Sequence, residues 1–149
     1  MMTSTSEIRR VFIDTSAWIS LMNKNEFNHE QAVAFHKSLP TTIYRITTWG
    51  IVSETFTWTR YHIGSRAGLQ WLSLKEALER QGLLQIVFPD PQMEIGVKKI
   101  IERFHDQKLS YVDAYSIALI KSRPDIDVIF AFDRHMALAG IPVLPGTLK

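Results

Sequence analysis

Five short apolar runs, each separated from the next by a stretch of helical character, constrain this chain more than any other feature. Val11–Ile13, Ile43–Thr47, Leu83–Phe88, Val128–Phe132 and Pro142–Leu144 are rich in β-branched, aromatic and aliphatic residues. Runs of this length, bounded by polar or turn residues, suit strands buried on both faces. The segments between them carry apolar residues at helical spacing and open on capping residues. Strands alternating with helices predict an α/β fold, with a central parallel sheet of about four to five strands flanked by helices.

The first run sets the pattern. It ends on Asp14, and Thr15 or Ser16 is then placed to cap a helix from about Ala17 to Asn23. Asn28 is placed to cap His29–Ser38, which Pro40 stops. Thr48 is expected to cap a helix from Trp49 to about His62, with Glu54 within two turns of its start. Ser65 would cap a helix to Gln81 whose apolar residues are Leu69, Leu72, Leu74, Ala77 and Leu78, and Gly82 stops it. Asp90 and Pro91 open a helix from Gln92 to His105, in which Gly96 is expected to serve close packing. Ser110-Tyr111-Val112-Asp113 reads as a capping box for a helix to Ser122. The fourth strand ends on Asp133 as the first ends on Asp14, and a short helix to Ala139 follows.

A chain of 149 residues is expected to form one domain over 1–149, with a core from about 11 to 145 and residues 1–9 as a flexible lead-in. The absence of cysteine excludes disulfides, zinc–thiolate sites and thiol catalysis. The polar N-terminus has no signal-peptide core, and no apolar run reaches the roughly 20 residues that span a bilayer. These features predict a cytoplasmic protein with no membrane partner. A net charge of +2 gives only a slight push toward an anionic substrate.

Right-handed crossovers bring the C-terminal ends of parallel strands to one edge of the sheet, where ligands of open α/β sheets bind. Asp14 and Asp133 end strands at that edge, and Glu54 and Asp113 lie early in helices that start just beyond it. Each acid alone has a bland reading, as a helix cap or a solvated residue. Gathered together, the four would repel and raise one another's pKa values unless a cation intervened. Oxygen donors of this kind suit Mg²⁺ or Mn²⁺. The chemistry indicated is therefore an acidic metal site acting on phosphoryl or phosphodiester groups.

Four motifs then fall in order: Phe12-Ile13-Asp14-Thr15-Ser16, the helix-borne Glu54 after Thr48-Trp49-Gly50-Ile51-Val52-Ser53, Leu109-Ser110-Tyr111-Val112-Asp113-Ala114, and Phe132-Asp133-Arg134-His135-Met136. Together they resemble the PIN domain, and more narrowly the VapC-type toxins of toxin–antitoxin pairs. The resemblance implies a metal-dependent endoribonuclease with Asp14 and Asp113 as principal metal ligands, and Glu54 and Asp133 completing the site. It implies that Thr15 or Ser16 supplies the hydroxyl that orients the cluster. It also implies an RNA substrate, a cognate antitoxin and a homodimer. Arg134 and His135, next to Asp133, are candidates for contacting phosphate. Trp49, Trp58, Tyr61 and Trp71 are expected in the core or in an interface ahead of a second reading, stacking on splayed RNA bases, and the resemblance implies a groove of this region that receives the antitoxin. Trp49-Gly50 and Met136 depart from the common pattern without touching the acids. Two other readings stay open: a PIN-domain nuclease of RNA processing or DNA cleavage, and a catalytically silent PIN-like scaffold.

Overall fold

The computed structural model describes residues 4–146. Strands β1 (Arg10–Ile13), β2 (Tyr44–Thr48), β3 (Leu84–Val87), β4 (Val128–Ala131) and β5 (Val143–Pro145) form one parallel sheet in the order β3-β2-β1-β4-β5. β1 is central, with Phe12 beside Ile46 on one side and Ile129 on the other. Val11 to Ile13 and every residue of β4 are buried. Both faces are covered, which is why these strands read as unbroken apolar runs and do not alternate.

The covering helices are α1 (Thr15–Met22), α2 (His29–Ser38), α3 (Trp49–His62), α4 (Ser65–Arg80), α5 (Pro91–Arg103) and α6 (Tyr111–Ser122). Right-handed crossovers assign α1–α4 to one face and α5 and α6 to the other. The packing of α1 on α2 and α3, of α3 on α4, and of α5 on α6 follows that division. A 3₁₀ helix, Arg134–Ala139, joins β4 to β5 and packs on α6. In the core, Phe130 meets Phe35 with ring centroids 4.9 Å apart, and Trp18 meets Trp71 edge-on at 5.6 Å. Among the described residues, no helix is long and apolar enough to cross a membrane.

Several local expectations are revised. The first helix begins at Thr15, two residues before Ala17, and its cap is Asp14, whose carboxylate accepts from the Ser16 N–H; neither Thr15 nor Ser16 caps it. The long helix starts at Ser65 with Gly64 at the cap position. On that helix Leu69 and Leu74 are exposed, while Gly68 and Trp71 are buried. A Cβ at Gly68 would lie 3.1 Å from the Phe56 ring, so the missing side chain lets α4 approach α3 closely. Gly96 has no such reason: its nearest neighbour, the Ala118 Cβ, is at an ordinary 3.9 Å. Gly82 takes φ +73°, a left-handed conformation that suits glycine at the end of α4. The segment before β1 is tied down from Ile8, which is buried, and the Arg9 and Arg10 N–H groups donate to Asp127 Oδ2. Residues 1–3 of the expected lead-in lie outside the described residues.

Candidate functional site

The strand order puts a topological switch point between β1 and β4, because the chain winds outward from β1 toward β3 and then returns to β4. Ligands of open α/β sheets bind in the crevice at that point. Asp14 leaves β1 and Asp133 follows β4 at the same edge, so the two flank the switch point.

Asp14 is buried, with 3% of its surface exposed. Its backbone N–H donates to the Phe130 carbonyl at 3.1 Å, continuing the β1–β4 ladder into the site. Its Oδ2 accepts from the Ser16 hydroxyl at 2.9 Å and, more weakly, from the Ser16 N–H at 3.4 Å. The Ser16 hydroxyl in turn accepts from the Phe132 N–H at 2.9 Å, tying α1 to the end of β4. Thr15 serves a different acid: its hydroxyl donates to Glu54 Oε1 at 2.8 Å. Both hydroxyls therefore orient the cluster, one each for Asp14 and Glu54, where one alone was expected.

Asp113 is held by the capping box at the start of α6. The Ser110 N–H donates to its Oδ2 at 3.1 Å, and its own N–H donates to the Ser110 hydroxyl at 3.0 Å. Asp133 caps the 3₁₀ helix, accepting from the His135 N–H at 2.9 Å. The His135 ring lies on the same carboxylate, with Nδ1 3.3 Å from Oδ1. One ligand atom each from Asp113, Asp133 and His135 lie within 4.8 Å of one another. Arg134, by contrast, is exposed and makes no ion pair among the described residues.

The electrostatics tie the acids into one interacting group. Burial pushes the Asp14 carboxyl up to about 7, against the Ser16 hydrogen bonds, and the charges of Asp133 and Asp113 push the same way. Burial also raises Glu54, with Asp113 adding to the rise and the Thr15 hydrogen bond opposing it. Asp113 is raised by burial and by Asp133, while the Ser110 hydrogen bonds and His135 pull it down. Among the described residues, no Lys or Arg pairs with any of the four acids. A divalent cation fits this donor set, because among the described residues no Lys or Arg balances its negative charge.

A family model for the PIN domain matches residues 11–141. The chain belongs to the PIN domain family. Among solved structures it is similar to VapC20 of Mycobacterium tuberculosis, described as a sarcin-ricin loop cleaving toxin. The TM-score is 0.74 and the identity 26%, over 88% of this chain and 95% of that one. FitAB bound to an IR36 DNA fragment shares the fold at TM-score 0.67 and 16% identity, over 93% of this chain and 97% of that one. FitAcB from Neisseria gonorrhoeae does so at TM-score 0.61 and 17% identity, covering 89% and 95%. Comparison with curated proteins finds none that matches. This PIN domain is thus VapC-like in fold.

Ser110 holds Asp113 as the capping-box pattern implies, whereas Thr47 is a brace that no motif announces. The buried Thr47 hydroxyl donates to the Ile13 carbonyl at 2.9 Å and secures the residue before Asp14. Only its position in β2 hinted at this.

The Ser16 link carries a direct prediction. Its hydroxyl stabilises the charged form of Asp14, so Ser16→Ala should raise the Asp14 midpoint above about 7. A hydrogen bond to a charged group contributes about 1.5–3 kcal/mol, or roughly one to two pKa units. Carboxyl-carbon NMR titration of the metal-free protein measures it, and an unmoved midpoint would remove Ser16 from this role.

Proposed function

We infer that the chain is a toxin endoribonuclease of the VapC type, dependent on Mg²⁺ or Mn²⁺ and restrained by a cognate antitoxin. The observation that carries this reading is the uncompensated carboxylate cluster at the switch point, Asp14 with Asp113, Asp133 and Glu54. The likeness to a toxin that cleaves the sarcin-ricin loop supports RNA as the substrate class.

Asp14, Asp113 and Asp133 would hold the cation, with Glu54 at its flank and His135 at the Asp133 edge. When bound, the cation supplies a nucleophile at neutral pH by lowering the pKa of water, and offsets the charge that grows on phosphate. The chain's own residues prepare the site. Ser16 and Thr15 fix the two carboxylates on the α1 side, and the capping box fixes Asp113 on the α6 side. Glu54, raised by burial, is suited to exchange a proton with the attacking water or the leaving oxygen.

Two adjoining cavities extend from the acids along α1 and α3. One, of about 550 Å³, is bordered by Thr15, Ile19, Glu54, Trp58 and Tyr61; the other, of about 320 Å³, by Ser16, Ile19, Asn28, Trp58 and Asp133. They share Ile19 and Trp58 and form a path for a single strand over the acids. Farther along α3 and α4, exposed Tyr61, Ile63, Leu69 and Leu74 offer an apolar surface for the antitoxin. Self-association as a homodimer belongs to the same reading.

The test is cleavage of total RNA by the purified protein with and without Mg²⁺ or Mn²⁺, beside the Asp113→Asn variant. Cleavage should require the metal and fall by on the order of 10²–10³-fold in the variant. Metal-independent cleavage, or full activity in Asp113→Asn, would overturn the mechanism.

A further inference from the structure

A third cavity opens at the same edge of the sheet, lined by none of the four acids, and the ribonuclease reading leaves it without a task. It has a volume of about 210 Å³ and lies where the start of α3 meets the start of α6 at the C-terminal edge of the sheet. Trp49 and Tyr111 stand at its rim, half exposed at 50% and 52%. Val112 and Gly50 meet in its wall, where a Cβ on Gly50 would come within 3.1 Å of Val112 Cγ2. Glu94 of α5 contributes the one carboxylate, and the Tyr111 hydroxyl donates to its Oε1. Tyr115, buried beneath, accepts from the Asp90 N–H through its hydroxyl.

The helices that build this cavity also carry the acids. Trp49 precedes Glu54 on α3 by about 7.5 Å of helix rise, and Tyr111 and Val112 directly precede Asp113 on α6. The cavity and the acids therefore open from the first two turns of the same two helices, at the same edge of the sheet. The cavity is smaller than the roughly 300–1,000 Å³ typical of small-molecule pockets, a size that admits one flat ring system. Aromatic rims beside an apolar wall are how proteins stack unpaired RNA bases.

Resting on the ribonuclease reading, we propose that this cavity is a base-specificity pocket. It stacks one unpaired RNA base on Trp49 and Tyr111 and presents the free oxygen of Glu94 to the edge of that base. A carboxylate accepts from an exocyclic amino group, as on adenine, cytosine or guanine. Uracil offers only one ring N–H, flanked by two carbonyl oxygens that repel a carboxylate. The pocket thus selects an amino-bearing base beside the cleaved phosphodiester and disfavours uracil.

The test measures binding apart from cleavage. In a Glu54→Gln background, which slows cleavage and keeps the acids that would hold the cation, labelled hexamers of adenylate, cytidylate and uridylate are titrated against the protein with Mg²⁺ present. Adenylate and cytidylate should bind more tightly than uridylate, and Trp49→Ala should weaken their binding by about tenfold. Glu94→Gln should keep the affinity but level the discrimination against uridylate. Unchanged affinity in Trp49→Ala, or equal binding of all three hexamers, overturns the pocket. If the rim instead covers a second copy of the chain, Trp49→Ala shifts the sedimentation behaviour and leaves RNA binding intact, which also overturns it. The two readings fail separately. Metal-dependent cleavage that is indifferent to Trp49 removes the pocket alone, whereas Trp49-dependent binding without any cleavage by the wild type removes the ribonuclease reading.

Discussion

Asp14→Asn is expected to lower metal-dependent RNA cleavage by on the order of 10²–10³-fold or more while making the metal-free protein more stable above pH 7. The two effects share one cause. The Asp14 carboxyl has an ordinary value of 3.8 and is raised to about 7 in the fold, chiefly by burial. Between those values the folded state holds more protons than the unfolded one, so stability falls as pH rises. The cost is absent below about pH 4 and complete above about pH 7. At about 1.36 kcal/mol per pKa unit, the rise from 3.8 to about 7 makes that cost on the order of 4 kcal/mol. Asparagine removes the charge but loses part of the bond to Ser16, so the net gain should be smaller, about 1–3 kcal/mol. In a chain of this size that is a rise of several degrees in Tm at pH 7.5, fading at pH 4. Added Mg²⁺ or Mn²⁺ should stabilise the wild type more at pH 7.5 than at pH 5, where protons compete for the same oxygens, and should stabilise Asp14→Asn little. Thermal melts across pH, with and without metal, check all three statements. A variant less stable than wild type at pH 7.5 would show that Asp14 is not carrying an uncompensated charge.

The second large effect is structural. Phe130→Ala is expected to cost about 3–5 kcal/mol, a large part of the roughly 5–15 kcal/mol that holds a domain together. Phe130 is fully buried in β4, between β1 and β5, and its ring packs at 4.9 Å on Phe35 and at 6.3 Å on Phe132. Truncation leaves a cavity that neighbours on two strands cannot close. Denaturant unfolding should show a lower midpoint with an unchanged slope. A loss under about 1 kcal/mol would mean that the site collapses more freely than a close-packed core allows. The Phe130 carbonyl also accepts from Asp14, so the same substitution should loosen the metal site before the fold is lost.

Stability and function are thus set against each other in one small region. The apolar strands bury Asp14 deeply enough to make its charge costly, and that cost is what a cation relieves. A PIN domain built this way is expected to gain stability when a cation binds at neutral pH and to lose it when the cation is removed.

The local motifs were legible because their partners are near in sequence. Ser110 and Asp113, three residues apart, form the capping box their order announces, and Thr48 caps α3 through the Ile51 N–H. Where several neighbouring residues were fit for one task, sequence order could not choose among them. Asp14, Thr15 and Ser16 can all cap a helix. The choice falls to Asp14 because the Ser16 hydroxyl is engaged by the Phe132 N–H, from 116 residues away. Leu69 and Leu74 have helical spacing, but α4 turns Gly68 and Trp71 inward, since the close approach to Phe56 needs a residue without a side chain. His135 reads from its place beside Asp133 as a candidate for contacting phosphate, whereas the 3₁₀ turn folds its ring back onto Asp133.

What the sequence determined by itself was the alternation of strands and helices and the placing of acids where strands end or helices begin. Those signals are local, set by backbone preference and by the period of apolar residues. The order in which the strands pair is not local, because it depends on how the whole chain buries its apolar faces at once. Only the tertiary structure decided that β4 lies against β1, and so brought Asp133 beside Asp14 across the switch point. The sequence already put the acids at one edge of the sheet, but that Asp133 stands next to Asp14 there followed from the pairing of two strands more than a hundred residues apart.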